Sequence, residues 1–88
     1  DVGKLWENFI IAEKYKKQLG LGFSTDFYFW RTYDKQEVDL VENIGGRLKG
    51  WEIKWGNKKA TPPSSWKSYL NSSWKLINRE NYFAELVD

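Results

Sequence analysis

Two strings flanking a glycine pair decide the fold: Glu37-Val38-Asp39-Leu40 and Glu52-Ile53-Lys54-Trp55, with Gly45-Gly46 between them. A Gly-Gly dipeptide suits a two-residue hairpin turn, whose central residues need φ > 0. With those glycines as the loop, Ile44 faces Arg47, Asp39 faces Glu52, and Glu37 faces Lys54. Strand side chains alternate between faces. Glu52 and Lys54 therefore share one face, and Trp51, Ile53 and Trp55 take the other. Counted outward from the closing pair, Asp39/Glu52 is a non-hydrogen-bonded position, with Cα atoms about 4.5 Å apart. Two carboxylates in that relation repel and destabilise a sheet. With a lysine beside them they form a pattern that a divalent cation resolves. A carboxylate-held cation polarises a phosphoryl oxygen and lowers the pKa of its bound water. A lysine two residues along the same face, roughly 6–7 Å away, can reach that water. The chemistry this pattern points to is that of phosphodiesters.

Composition narrows the choices further. The 88 residues make one domain with one modest core, and 41% apolar with 18% aromatic content is too rich for disorder. A net charge of +2, from 14 basic and 12 acidic residues, excludes a protein that coats nucleic acid by bulk charge but permits a local basic patch. Cysteine and histidine are both absent. That removes disulfides, thiolate and imidazole metal sites, Ser-His-Asp triads and histidine bases. Any catalysis must use carboxylates, lysine and hard, oxygen-ligated ions such as Mg²⁺ or Mn²⁺. No apolar run approaches the length of a membrane span, so the expected location is cytoplasmic, with no membrane partner. Methionine is missing even from position 1, and the expectation is a domain cut from a longer protein.

Working outward from the hairpin, Lys4 to Leu19 reads as a helix with an apolar face of Leu5, Trp6, Phe9, Ile10 and Ala12, stopped by Gly20 and Gly22. Phe27-Tyr28-Phe29-Trp30-Arg31 is an aromatic strand with bulk on both sides, as expected of a central or doubly covered position. The second strand spans Glu37 to Asn43 and the third Arg47 to Trp55. Pro62-Pro63 ends the following loop and pre-sets a helix start. Ser64 or Ser65 can cap a short helix bearing Trp66, Tyr69 and Leu70. A last strand, Trp74 to Asn78, precedes an amphipathic tail with Tyr82, Phe83 and Leu86. The order is α-β-β-β-α-β, without internal repeat or low-complexity segment.

That order, with Asp39 and Glu52-x-Lys54 where they fall, resembles the PD-(D/E)XK nuclease superfamily, and Gly3-x-x-x-Glu7 resembles the helix glutamate of its resolvase-like members. Four blocks carry a closer likeness: Gly3-Lys4-Leu5-Trp6-Glu7-Asn8-Phe9, Tyr28-Phe29-Trp30-Arg31-Thr32, Glu37-Val38-Asp39 and Glu52-Ile53-Lys54-Trp55-Gly56. Together with Asn78-Arg79-Glu80-Asn81 they look like the domain of unknown function at the C-terminus of bacterial and archaeal AAA-type ATPases. The resemblance implies an α/β (α+β) fold, a restriction-endonuclease-like αβββαβ core with a mixed four-stranded sheet and flanking helices. It implies a single domain over residues 1–88, excised from the C-terminal part of an ATPase. It also implies a Mg- or Mn-dependent nuclease acting on DNA or RNA. Asp39 and Glu52 would be metal ligands, with the Ile53 carbonyl as a third and Glu7 completing the set from the helix. Lys54 would orient or deprotonate the attacking water and steady the phosphate. Val38 stands where the superfamily motif has proline. The phosphate-loop pattern G-x-x-x-x-G-K-[ST] is missing from these residues, so no nucleotide cofactor is assigned and ATP binding would fall to the attached part.

Plainer readings compete at each position. Asp39, Glu52 and Lys54 could form a solvated face of mixed charge, with Glu37 and Lys54 as an exposed cross-strand ion pair of little energetic weight. On a helical wheel Glu7 lies far from the apolar face and Glu13 near its middle, so motif favours Glu7 and amphipathicity Glu13. The six tryptophans invite a stacking or glycan-binding role, yet Trp6, Trp30, Trp51 and Trp55 read as core, with Trp66 and Trp74 free to line an interface. Lys58 and Lys59 could contact a phosphate backbone or lie in a solvated loop. Whether the chain is an enzyme stays open, the alternative being an inactive nuclease-fold module that binds nucleic acid or protein for the ATPase.

Overall fold

The structure, a computed structural model, describes residues 1–21, 25–69 and 71–87. The elements are α1 (Val2–Leu21), β1 (Asp26–Arg31), β2 (Glu37–Ile44), β3 (Arg47–Ile53), a single 3₁₀ turn (Trp66–Ser68), β4 (Ser72–Ile77) and α2 (Tyr82–Val87). Gly45 and Gly46 take φ of 59° and 88°, a backbone open to glycine and strained for most residues. The Gly46 N–H is held by the Asn43 side chain at 3.0 Å. The glycine pair fixes the register: Ile44 faces Arg47, and the ladder runs regularly to Leu40 opposite Trp51. Strand order is β1-β2-β3-β4, antiparallel except for the parallel β3/β4 pair. The result is the expected α+β arrangement, a mixed four-stranded sheet with helices at both ends of the chain.

One irregularity shapes the sheet. Tyr28 pairs with Val41 but Trp30 with Val38, so one residue of β1 opposes Asp39 and Leu40 of β2. Such a bulge resets the alternation. Val38 and Val41 consequently share a face, where both are fully buried with Trp66. Leu40 turns the other way and joins Trp6, Ile10, Trp51, Ile53 and Ile77 beneath α1. The sheet is thus covered by α1 on one side and by the β3–β4 connection on the other. Trp66 sits flat enough on the sheet that a Cβ on Gly50 would lie 2.8 Å from its ring.

Several expectations are corrected. β1 is an edge strand, not a central one, and most of its residues are exposed; its aromatic bulk packs beside each core without being enclosed. The second helix shrinks to a 3₁₀ turn in which Ser65 makes no side-chain cap. Gln36 instead receives the Ser65 N–H at 3.1 Å, fixing the connection from β2's side. Gly20 is helical, and Gly22 and Leu70 lie outside the described residues. The inward face of α1 is rotated from the expected one: Leu5 and Phe9 are 69% and 42% exposed, whereas Lys14 is only 6% exposed.

Lys14 is tolerated because a carboxylate and an indole ring receive it, against the charges of Lys49 and Lys17. Its Nζ lies 3.4 Å from Glu42 Oε1 and 3.6 Å above the Trp51 ring, and the Trp51 indole donates to the same Glu42 oxygen at 2.8 Å. Burial holds the ammonium below its ordinary pKa, opposed by Glu42. Truncating one partner of such a pair leaves the other uncompensated, a loss of about 3–5 kcal/mol. The Gly50/Trp66 contact gives a cleaner test of the second core. Gly50→Ala should destabilise the domain by about 1–3 kcal/mol through overpacking, measured by urea unfolding. An unchanged midpoint would mean that Trp66 does not lie against this glycine.

Candidate functional site

Asp39 and Glu52 come together where the hairpin opens. The ladder stops at Leu40/Trp51, and beyond it the bulge frees Asp39 from regular pairing. Its Oδ2 accepts the Ile53 N–H at 2.9 Å, a side chain taking the place of the next backbone partner. On the other side of β3 the Lys54 N–H donates to the Ile77 carbonyl at 3.0 Å. The strand end carrying Glu52 is therefore gripped from both neighbours. The neighbouring Trp51 and Ile53 are buried toward α1, so Glu52 projects from the opposite face.

The electrostatics follow from that placement. Burial, then hydrogen-bonding and Coulombic contact with Asp39, push the Glu52 carboxyl up from 4.5 to about 7, with Lys54 opposing. Lys54 Nζ lies 3.2 Å from Glu52 Oε1. That contact, aided by the charges of Asp39 and Glu7, raises the lysine's pKa against the effect of burial. Of the expected site residues, Glu52 thus touches both Asp39 and Lys54, and Asp39 lies within Coulombic range of Lys54. Glu7 is half-buried on α1 and within Coulombic range of Lys54, whereas Glu13 pairs with Lys16 at the surface, 3.8 Å apart. Among the described residues no group of three or more acidic side chains is gathered tightly enough to enclose a metal. Ile53 engages Asp39 through its N–H; its carbonyl stands as an expected ligand only.

Three expectations fail here. Lys54 lies just past the end of β3, and Glu37 does not face it: the bulge carries Glu37 onto Arg31, at 2.7 Å. Trp55, expected in the core, is 38% exposed and meets Trp6 edge-on with centroids 5.2 Å apart. Trp66, allowed an interface role, is buried instead. Lys58 and Lys59 are exposed on the loop after β3, outside the carboxylate cluster. The segment Asn78-Arg79-Glu80-Asn81 is a turn. The Asn78 side chain accepts the Glu80 and Asn81 N–H groups at 2.9 and 3.1 Å, and Asn81 answers the Asn78 N–H at 2.8 Å. The Lys14–Glu42–Trp51 network went unread in the sequence, although Glu42 two residues after Leu40, on a core-facing position, was a signal for it.

Fold and site together define an α+β domain with a paired carboxylate and an adjoining lysine at the open end of a β-hairpin. The chain belongs to the family described as a domain of unknown function, DUF4143, whose model matches residues 2–81. No curated protein and no solved structure shows significant similarity to it. No helix among the described residues is long and apolar enough to cross a membrane.

The Glu52 shift has a thermodynamic sign. The carboxyl holds its proton more tightly in the folded state (about 7) than its ordinary 4.5. The folded state therefore binds more protons between those values, and stability declines as pH rises through them. In chelator, wild type should lose about 1–2 kcal/mol more than Glu52→Gln between pH 5 and 8, after allowance for solvent screening. Parallel pH profiles of the two proteins in urea unfolding would contradict the contact.

Proposed function

We propose that this chain is a Mg²⁺- or Mn²⁺-dependent phosphodiesterase domain of the PD-(D/E)XK nuclease kind, acting on DNA or RNA for an attached AAA-type ATPase. The single observation that supports the reading most is the contact of Asp39 with Glu52, with Lys54 at 3.2 Å from the latter. A partly buried pair of carboxylates needs a proton or a cation to neutralise it. Mg²⁺ is commonly held by one or two carboxylates, with waters and phosphate oxygens completing its shell, so the donor set fits. Asp39 and Glu52 would hold the ion, with the Ile53 carbonyl and Glu7 as further ligands. The ion would supply charge neutralisation at the phosphoryl oxygen and a more acidic water.

The remaining work falls to the chain itself. Lys54, kept protonated by Glu52, presents a fixed positive charge to the phosphate and donates hydrogen bonds that orient the attacking water. Asp39, by binding the Ile53 N–H, keeps the backbone between the two acids from drifting. A second reading, a binding module without catalysis, draws on the looser position of Glu7 relative to the pair.

Lys54→Ala separates the two. It should abolish Mn²⁺-dependent nicking of plasmid DNA or cleavage of RNA while leaving Mn²⁺ affinity nearly unchanged, because an ammonium is no metal ligand. Cleavage equal to wild type would place the activity elsewhere.

A further inference from the structure

The α1 side of the sheet carries a second feature that hydrolysis alone leaves unused. The exposed side of α1's first half, α2 and Trp55 enclose an open groove of about 490 Å³, lined by Leu5, Trp6, Phe9, Trp55, Arg79 and Tyr82 among others. Its walls are aromatic. Trp6 stacks on Phe9 at 5.7 Å and meets Trp55 and Tyr82 edge-on at 5.2 and 5.1 Å. Arg79, the one charged side chain among the lining residues, lies over the Trp55 ring at 5.3 Å. The Trp6 indole N–H is buried with no acceptor among the described residues.

A groove of this character selects its occupant. Flat π-faces favour a planar ring, and the arginine favours an anionic group attached to it. The same arginine disfavours a quaternary ammonium, the usual guest of aromatic cages. Two pairs of chain neighbours tie the groove to the carboxylate cluster, which projects from the other side of the sheet. Trp6 lines the groove and Glu7 lies in range of Lys54; Trp55 lines the groove and Lys54 touches Glu52. A planar ring seated against Phe9 and Trp55 would bring a linked phosphate toward Arg79.

We propose that this groove stacks an unpaired nucleobase, so that the domain engages single-stranded or frayed nucleic acid in preference to continuous duplex. The proposal rests on the phosphodiester reading above for its substrate class, and its test does not depend on cleavage. Base stacking on aromatic side chains tolerates any sequence and contributes on the order of 5- to 100-fold in affinity per base. Inside an intact duplex the faces of the bases are occupied by their neighbours, which leaves the groove nothing to take.

The experiment is fluorescence anisotropy of short labelled oligonucleotides in chelator at fixed ionic strength. Single-stranded DNA, single-stranded RNA and blunt duplex of one sequence are compared, the first two assigning the sugar. Wild type should bind a single strand more tightly than the duplex. Phe9→Ala and Trp55→Ala should each weaken single-strand binding by about 5- to 100-fold, and Trp55→Phe should restore most of the loss. Phe9 is 42% exposed on a helix, where alanine is a favourable replacement, so that variant carries the test if Trp55→Ala fails to fold. Equal affinity for single strand and duplex would overturn the proposal, as would groove variants that bind like wild type. If the groove variants lose binding but no substrate is cleaved, the groove stands and the hydrolytic reading falls. If cleavage depends on Lys54 while the groove variants bind normally, the reverse holds.

Discussion

The pairing of β2 on β3 is the constraint from which the rest of the molecule follows. The positive φ values at Gly45 and Gly46 close the hairpin in one register, and a slip of one residue would send every side chain to the wrong face. In this register Leu40 and Trp51 meet beneath α1, Glu42 receives Lys14, and Asp39 reaches the end of β3. The bulge then does what regular pairing could not. It returns Val38 to the face of Val41 and Trp66 and leaves Asp39 free to take the Ile53 N–H. The second core and the carboxylate pair are two consequences of one extra residue in β2.

Much of this was legible in the sequence because the responsible signals are local. Glycines that must turn with φ > 0, and alternation along Trp51-Glu52-Ile53, carry enough information to bring Asp39 and Glu52 together on paper. The bulge was not legible: it depends on where β1 pairs, a non-local matter. Nor was the end of the β2/β3 ladder at Leu40/Trp51, which is why Glu37 does not face Lys54 and pairs instead with Arg31 on β1. β1 was misjudged because aromatic residues on both sides suggested enclosure, whereas Phe29 and Tyr28 remain exposed at an edge. On α1 the wheel followed Leu5 and Phe9 outward and missed that a lysine can occupy a core position when a glutamate and an indole await it. With the true inward face of Trp6, Ile10 and Lys14 known, Glu7 and Glu13 flank it, both half-buried.

Family membership and site geometry speak to different questions. The match over residues 2–81 fixes kinship with a domain of unknown function, while the chemistry must be argued from side chains. A pair of carboxylates beside a lysine, with one carboxyl held near neutrality in its titration, is an arrangement that a fold without a ligand has little reason to keep. Like charges side by side weaken a sheet, a cost that the proposed cation would offset. The aromatic groove on the α1 side would supply the apolar surface that a nucleotide needs in addition to its phosphate.

The measurement that bears most directly on this account is thermal unfolding of wild type and Asp39→Asn, in chelator and across a Mn²⁺ titration at fixed ionic strength. Without metal, Asp39→Asn should be slightly more stable, by about 0.2–1 kcal/mol, through relief of one like-charge pair. As Mn²⁺ rises the order should reverse, because only wild type gains the stabilisation of an ion bound to its folded state. A wild-type melting temperature that ignores Mn²⁺, or rises equally in both proteins, would contradict the claim that Asp39 and Glu52 form a metal site.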